Sequence, residues 1–149
     1  MRHLLILLLF VTLGCKSGQQ AKSNAYPIIS YEKTACMGPC PVYIFKAYPD
    51  GRVTYTGKEF VDLKGEFAAV LSREELAELT GYFDAANFFN FANVYSANVK
   101  DLPTKFLYYD DGRQNAKVTD YYGAPEALKK LEKEIEAFIK KIVWQPVDR

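Results

Sequence analysis

Short runs of β-branched and aromatic residues follow one another from Tyr26 onward, the clearest of them alternating apolar and polar side chains as half-buried strands do. The pattern predicts four strands, the fourth broken or bulged at Gly65, at residues Pro27–Thr34, Val42–Tyr48, Arg52–Gly57 and Phe60–Phe67. Pro-Asp-Gly at 49–51 predicts a tight turn, because proline fixes φ and Asp-Gly tolerates the positive φ of hairpins. A second hairpin is predicted later, with strands at Thr104–Tyr109 and Asn115–Tyr122.

Two segments change to helical spacing. The first helix is predicted to begin after Ser72, since Ser72 and Glu75 have the spacing of a capping box in which each side chain bonds the other's backbone amide. Its apolar face is Leu76, Leu79 and Phe83.

The second helix is predicted from Pro125, a residue suited to the first helical position. It carries one apolar stripe, formed by Leu128, Leu131, Ile135, Phe138 and Ile142. Lysines and glutamates fill the other faces and predict surface pairs four residues apart, Glu126 with Lys130 and Glu136 with Lys140.

The order of these elements predicts one α+β domain over residues 26–149, an antiparallel sheet of about five to six strands with two helices packed on one face.

The chain starts with a pattern of a different kind. A positive start is followed by an apolar run that ends at Gly14, directly before Cys15, and this run is shorter than the roughly 20 residues that a transmembrane helix needs. Residues 1–14 are therefore predicted to be a secretory signal, and the pattern resembles bacterial lipoprotein signals in which the cysteine is acylated. Cys15 and the polar residues that follow, through 25, would then form a lipid anchor and flexible tether. An ordinary cleaved signal with an incidental cysteine is the alternative.

By resemblance to lipoprotein sorting rules, the absence of an aspartate after Cys15 implies the outer membrane, and the absence of an acidic run after it implies a position facing the periplasm.

Composition limits the chemistry. The formal net charge of +1 provides no basic field for nucleic acid. The only histidine, His3, lies within the predicted signal. Removal of that signal would leave no imidazole, which excludes Ser-His-Asp and Cys-His catalysis and the usual nitrogen ligands of zinc and copper. The sequence thus predicts no metal, no cofactor and no catalytic residue.

The remaining cysteines, Cys36 and Cys40, flank Met-Gly-Pro between the first two strands. In an oxidising compartment they are expected to pair, and the short ring predicts a structural disulfide worth about 2 kcal/mol. One alternative is thiol-disulfide exchange, which needs an exposed thiol near a cation, and Lys33 is the nearest cation in sequence. Another is a copper(I) site with Met37, which would lack a third strong ligand.

The chain resembles bacterial proteins that contain the domain of unknown function DUF6438. The resemblance rests on the Cys-x-Gly-x-Cys-Pro core and the Asp-Gly hairpin that follows it, and it extends through Asp101–Thr104 and Tyr122–Pro125 to cover most of residues 28–139. It implies a small secreted or lipid-anchored domain and assigns no activity.

Other candidate residues are weaker. Asp101, Asp110, Asp111 and Asp120 could supply a carboxylate pair for glycoside hydrolysis, but Asp-Asp-Gly is also the composition of a hairpin turn. Asp101 and Thr104, beside Pro103, and the aromatic Tyr108 and Tyr122 are the candidate contacts to a ligand or partner, with turn formation and core packing as the structural alternatives.

Together these patterns lead to the hypothesis of a lipid-anchored envelope domain without catalytic activity that binds an envelope protein or a glycan. The alternative hypothesis is a periplasmic redox protein that uses Cys36 and Cys40.

Overall fold

The alternating segments form a single eight-stranded sheet in the computed structural model, which describes residues 26–147. The predicted signal at 1–14 and the segment 15–25 with Cys15 lie outside the described residues. The strands are β1 (Ile29–Lys33), β2 (Val42–Ala47), β3 (Arg52–Glu59), β4 (Gly65–Val70), β5 (Val94–Tyr95), β6 (Lys105–Asp110), β7 (Asn115–Asp120) and β8 (Gln145–Pro146). The helices are α1 (Arg73–Ala85) and α2 (Glu126–Lys141), with a short 3₁₀ turn at Phe88–Asn90.

The strand order is β5-β7-β6-β1-β2-β3-β4-β8, so β1 lies in the interior of the sheet between β6 and β2. All neighbours are antiparallel except β5 and β7, which are parallel. The α+β class is confirmed, and the sheet is mostly antiparallel, but it has eight strands instead of the predicted five to six and includes one parallel pair. The two-residue strands β5 and β8 at the edges are too short to show an alternating pattern in the sequence.

Both helices cover the same face of the sheet, and the core lies between them. Ile29 and Tyr31 of β1 and Phe45 of β2 point into it and are fully buried. Helix α1 contributes Leu79 and Phe83, and α2 contributes its predicted stripe from Leu128 to Phe138. The opposite face of the sheet has no helix among the described residues.

Both helices form where the sequence predicts them, with a small difference at the start of α2. The capping box at Ser72 and Glu75 is present, with the Glu75 amide donating to the Ser72 hydroxyl at 3.1 Å. Pro125 immediately precedes α2 as its cap rather than occupying its first position.

The predicted pairs on α2 do not form as expected. Glu126 pairs with Lys129, three residues on, and Glu136 turns toward the sheet to pair with Lys33. This second difference matters because it brings a charged residue of α2 over the sheet.

The region predicted as a strand at Phe60–Phe67 is mostly a loop. Strand β3 extends to Glu59, Phe60 takes a left-handed backbone at φ 52°, and β4 begins only at Gly65. The apolar residues between them, which mimic a strand in the sequence, fold back over β3. None of the helices in residues 26–147 combines the length and the apolar content needed to cross a bilayer.

Candidate functional site

The Cys36–Cys40 loop is closed by a disulfide, as predicted, with the two Cα atoms 5.8 Å apart. Inside the ring, the Cys40 amide donates to the Gly38 carbonyl at 2.8 Å. Both cysteines are half-buried. The ring therefore shapes the connection between β1 and β2 without entering the core.

Two of the predicted contact residues lie against this ring. The Thr104 amide donates to the Thr34 hydroxyl at 2.9 Å, and the Thr34 amide donates to the Thr104 carbonyl at 3.0 Å. The Met37 amide donates to the Asp101 carbonyl at 3.4 Å, and Asp101 adopts a left-handed φ of 70°. In these contacts Asp101 and Thr104 act mainly through their backbones, which anchor the loop.

Replacing both cysteines, Cys36→Ser with Cys40→Ser, is expected to lower the free energy of unfolding by about 2 kcal/mol, because the short ring restricts the unfolded chain only slightly. The bonds between Thr34 and Thr104 should keep the loop in place. Denaturant unfolding measures the change, with Met37→Ala, which alters an exposed side chain of the same ring, as the control. Failure of the double variant to fold would contradict a minor structural role.

The four candidate aspartates do not converge. Asp110 and Asp111 accept backbone amides of the β6–β7 turn at 2.8 Å, which is the turn role. Asp120 lies at the far end of β7, and Asp101 lies in the loop beside the disulfide. These contacts give the four aspartates turn, loop and ion-pair roles, and none of them joins two of the four carboxylates.

The two candidate tyrosines are also apart. Tyr108 lies on the face of the sheet away from the helices, where its hydroxyl donates to Asp110 at 3.3 Å. It lines a shallow depression of about 630 Å³ together with Tyr26, Phe106 and Lys117. Tyr122 follows β7 and is exposed. As contacts to a ligand or partner, Tyr108 and Tyr122 stay predictions.

A row of polar residues crosses the helix-covered face at the end of the sheet nearest the disulfide. The register places Asp120 opposite Lys105, Lys105 opposite Lys33, and Lys33 opposite Tyr43. Two lysines directly opposite on neighbouring strands repel each other unless anions compensate them. Glu132 and Glu136, one turn apart on α2, supply those anions.

Lys105 is shared by two carboxylates. Its ammonium lies 2.5 Å from Glu132 Oε2 and 3.5 Å from Asp120 Oδ2. Glu132 is only 2% exposed, and its Oε1 has no hydrogen-bond partner among the described residues. Burial raises the pKa of Glu132 to about 7, with Asp120 adding to the rise and Lys105 opposing it. This carboxyl therefore exchanges its proton near neutral pH.

Lys33 belongs to a second ion pair. Its ammonium lies 2.9 Å from Glu136 Oε1, the same oxygen that accepts the Tyr31 hydroxyl at 2.8 Å. Burial, reinforced by Glu136, raises the pKa of Tyr31 far above its ordinary value, so the phenol remains a donor. The cation that a thiol-exchange role would require is thus held by a carboxylate of α2.

A cleft of about 370 Å³ opens beside this second pair, between the C-terminal half of α2 and the ends of β2 and β3. The Tyr43 and Tyr55 rings stack at 5.3 Å, and the Trp144 ring lies 5.5 Å from Tyr55. Trp144 is fixed by its indole N–H, which donates to the Ile139 carbonyl at 3.2 Å. The cleft has the volume of a small-molecule site and the mixed lining such sites have.

The outer wall of the cleft is the loop from Phe60 to Lys64. Strand β2 pairs irregularly with β3 at Val42/Tyr43, a bulge of the kind found beside binding sites. At Gly57 the Leu63 carbonyl approaches so closely that a Cβ would lie 1.8 Å from it. Only glycine allows the loop to close over β3 in this way.

Sequence reasoning missed this cleft and the buried pairs. Glu132 follows Leu128 by four residues and so falls within the apolar stripe of α2, a signal that was available. Phe60, Val61 and Leu63 have the composition of strand residues, and Trp144 follows the last element that the sequence predicts. Their convergence depends on tertiary contacts.

These features define an α+β domain whose sheet is covered by helices on one face. A cleft lined by aromatic residues, with the volume of a small-molecule site, lies at one end of that face. The family model for the domain of unknown function DUF6438 matches residues 27–139, and the chain belongs to this family. A comparison with curated proteins returns no match. Within residues 26–147, His, Cys, Asp and Glu side chains form no group of three that could hold a metal ion.

Proposed function

We propose that this chain is a lipid-anchored domain of the bacterial envelope that binds another envelope component, without catalysing a reaction, through the cleft beside α2. The observation that carries the binding role is the cleft itself. It combines a balanced set of charges with half-buried and exposed aromatic rings, including Trp144 and the 57% exposed Phe60. Exposed aromatic side chains around a concave polar site favour binding.

The anchor is supported by the sequence. The short apolar run before Gly14 and Cys15 and the polar segment after it are what a lipoprotein signal and tether require. An outer-membrane position facing the periplasm is part of the proposal, and it would expose the cleft to envelope glycans and proteins. The disulfide between Cys36 and Cys40 has a structural role in this proposal.

One experiment tests both parts. A photoreactive phenylalanine analogue placed at position 60, in the cleft wall, is expected to cross-link an envelope component in living cells and to do so in the membrane fraction. The same analogue at position 106, on the opposite face, is the matched control, because Phe106 is similarly exposed at 42%. Cys15→Ser should abolish the incorporation of a labelled fatty acid into the protein.

Binding in the cleft and the lipid anchor can be contradicted independently of each other. Equal cross-linking from positions 60 and 106 would contradict binding in the cleft. Equal incorporation of the fatty acid into the Cys15→Ser variant and the unaltered chain would contradict the lipid anchor.

A further inference from the structure

We propose that the ligand of this cleft is an uncharged glycan, bound as one or two sugar rings. This inference rests on the proposed binding function and specifies the chemistry of what is bound.

The charged side chains that line the cleft balance one another. Four charged side chains line the cleft, two lysines and two acids: Lys33, Lys140, Asp62 and Glu136. Lys33 and Glu136 already neutralise each other at 2.9 Å, which leaves one cation and one anion at the rim. A ligand with a net charge would give up its hydration without finding an unopposed counter-charge. The lining therefore favours a neutral ligand.

Aromatic rings form much of the cleft lining. Phe60 is 57% exposed and has no ring contact among the described residues, and the half-buried Trp144 flanks the stacked pair of Tyr43 and Tyr55. A sugar ring has an apolar C–H face that packs on such rings and a rim of hydroxyl groups. A purely apolar ligand would instead cover the charged Lys140 and Asp62 at the rim and offer them no hydrogen bond.

Two tyrosine hydroxyl groups of the cleft are available for hydrogen bonds to a ligand. The hydroxyl groups of Tyr43 and Tyr55 have no hydrogen-bond partner within residues 26–147, although both side chains are mostly buried. Each can donate to and accept from a hydroxyl group of a bound sugar. Burial raises the pKa of both tyrosines, so they stay protonated and keep this dual capacity.

The location of the cleft disfavours a peptide. Extended peptides commonly bind by adding a strand to a free sheet edge. Strands β2 and β3, which form the floor, are paired on both sides, β2 with β1 and β3, and β3 with β2 and β4. Recognition here must come from side chains, which suits a sugar with hydroxyl groups around its ring.

The test uses an internal reporter, since Trp144 is the only tryptophan of the chain. Its emission is followed in the full chain, purified in a detergent without a sugar headgroup, during titration with neutral di- and trisaccharides of glucose, galactose, mannose and N-acetylglucosamine. At least one of them is expected to change the emission saturably. Analogues of the same size that carry a uronic acid or a free amine should bind at least ten-fold more weakly.

Two variants locate the binding. Phe60→Ala should weaken binding about ten-fold or more while Phe106→Ala, the matched change on the other face, should leave it unchanged. Thermal unfolding of both variants verifies that they remain folded. Asp62→Asn leaves Lys140 without its opposing charge in the cleft, so the uronic acid analogue should gain affinity.

Three outcomes would overturn the inference: no response to any neutral sugar, charged analogues that bind as tightly as neutral ones, or equal effects of Phe60→Ala and Phe106→Ala. If position 60 still cross-links a partner in cells under any of these outcomes, the binding function stands and only the glycan assignment fails.

Discussion

Replacing Lys105 with methionine is expected to lower the free energy of unfolding by about 3–5 kcal/mol at pH 8. Lys105 is the cation that compensates Glu132 and Asp120, at 2.5 and 3.5 Å, and both carboxylates are largely buried. Without the ammonium, two like charges face each other with little solvent. The loss should be smaller at pH 5, because a protonated Glu132 no longer needs a counter-charge.

Chemical denaturation at the two pH values measures this effect. Lys129→Met is the matched control, since it breaks a solvent-exposed ion pair with Glu126 and should leave the stability close to that of the unaltered protein. Combining Lys105→Met with Glu132→Leu should recover much of the loss, because the second change removes the uncompensated charge. A cost of Lys105→Met below about 1 kcal/mol at pH 8 would contradict the role of this lysine.

The second large effect is a fall in stability as the pH rises from about 5 to 8. The pKa of Glu132 is raised from 4.5 to about 7 in the folded protein by burial. Between these values the folded state binds more protons than the unfolded state, so raising the pH favours unfolding. The full contribution of this one group is up to about 3 kcal/mol.

Glu132→Gln should flatten this pH dependence, since the amide keeps an acceptor for Lys105 but does not titrate. Glu126→Gln is the control, because Glu126 is exposed and Lys129 lowers its pKa, which places its titration below this pH window. If the unaltered protein loses no stability between pH 5 and 8, or if Glu132→Gln loses as much, then another group is responsible.

Local signals predicted the elements that carry their own pattern. The capping box at Ser72 and Glu75 placed the start of α1, and the apolar stripe of α2 placed its buried face. The cysteine spacing predicted the disulfide, which the structure confirms. The capping box and the disulfide join residues within a few positions of one another, and the stripe of α2 repeats at the period of the helix itself, so each of these signals is contained in a short stretch of sequence.

The cleft could not be predicted in this way. Phe60 and Leu63 have the composition of a strand, and only the left-handed turn at Phe60 and the missing side chain at Gly57 make them a wall. The pairing of Lys33 with Glu136 joins residues separated by more than a hundred positions. Such contacts are set by the order of strands in the sheet, which local periodicity does not contain.

Trp144 lies outside the part of the chain that the family model matches. The matched family region ends at residue 139, so it includes the sheet floor and the Phe60–Lys64 loop but not the indole that closes the cleft. A change in the few residues after α2 would replace one wall of the site, at some cost in packing, because Trp144 also contacts Phe45 of the core and β8 pairs with β4. On the binding role proposed above, a short C-terminal segment outside the matched region therefore sets part of the ligand preference of the cleft.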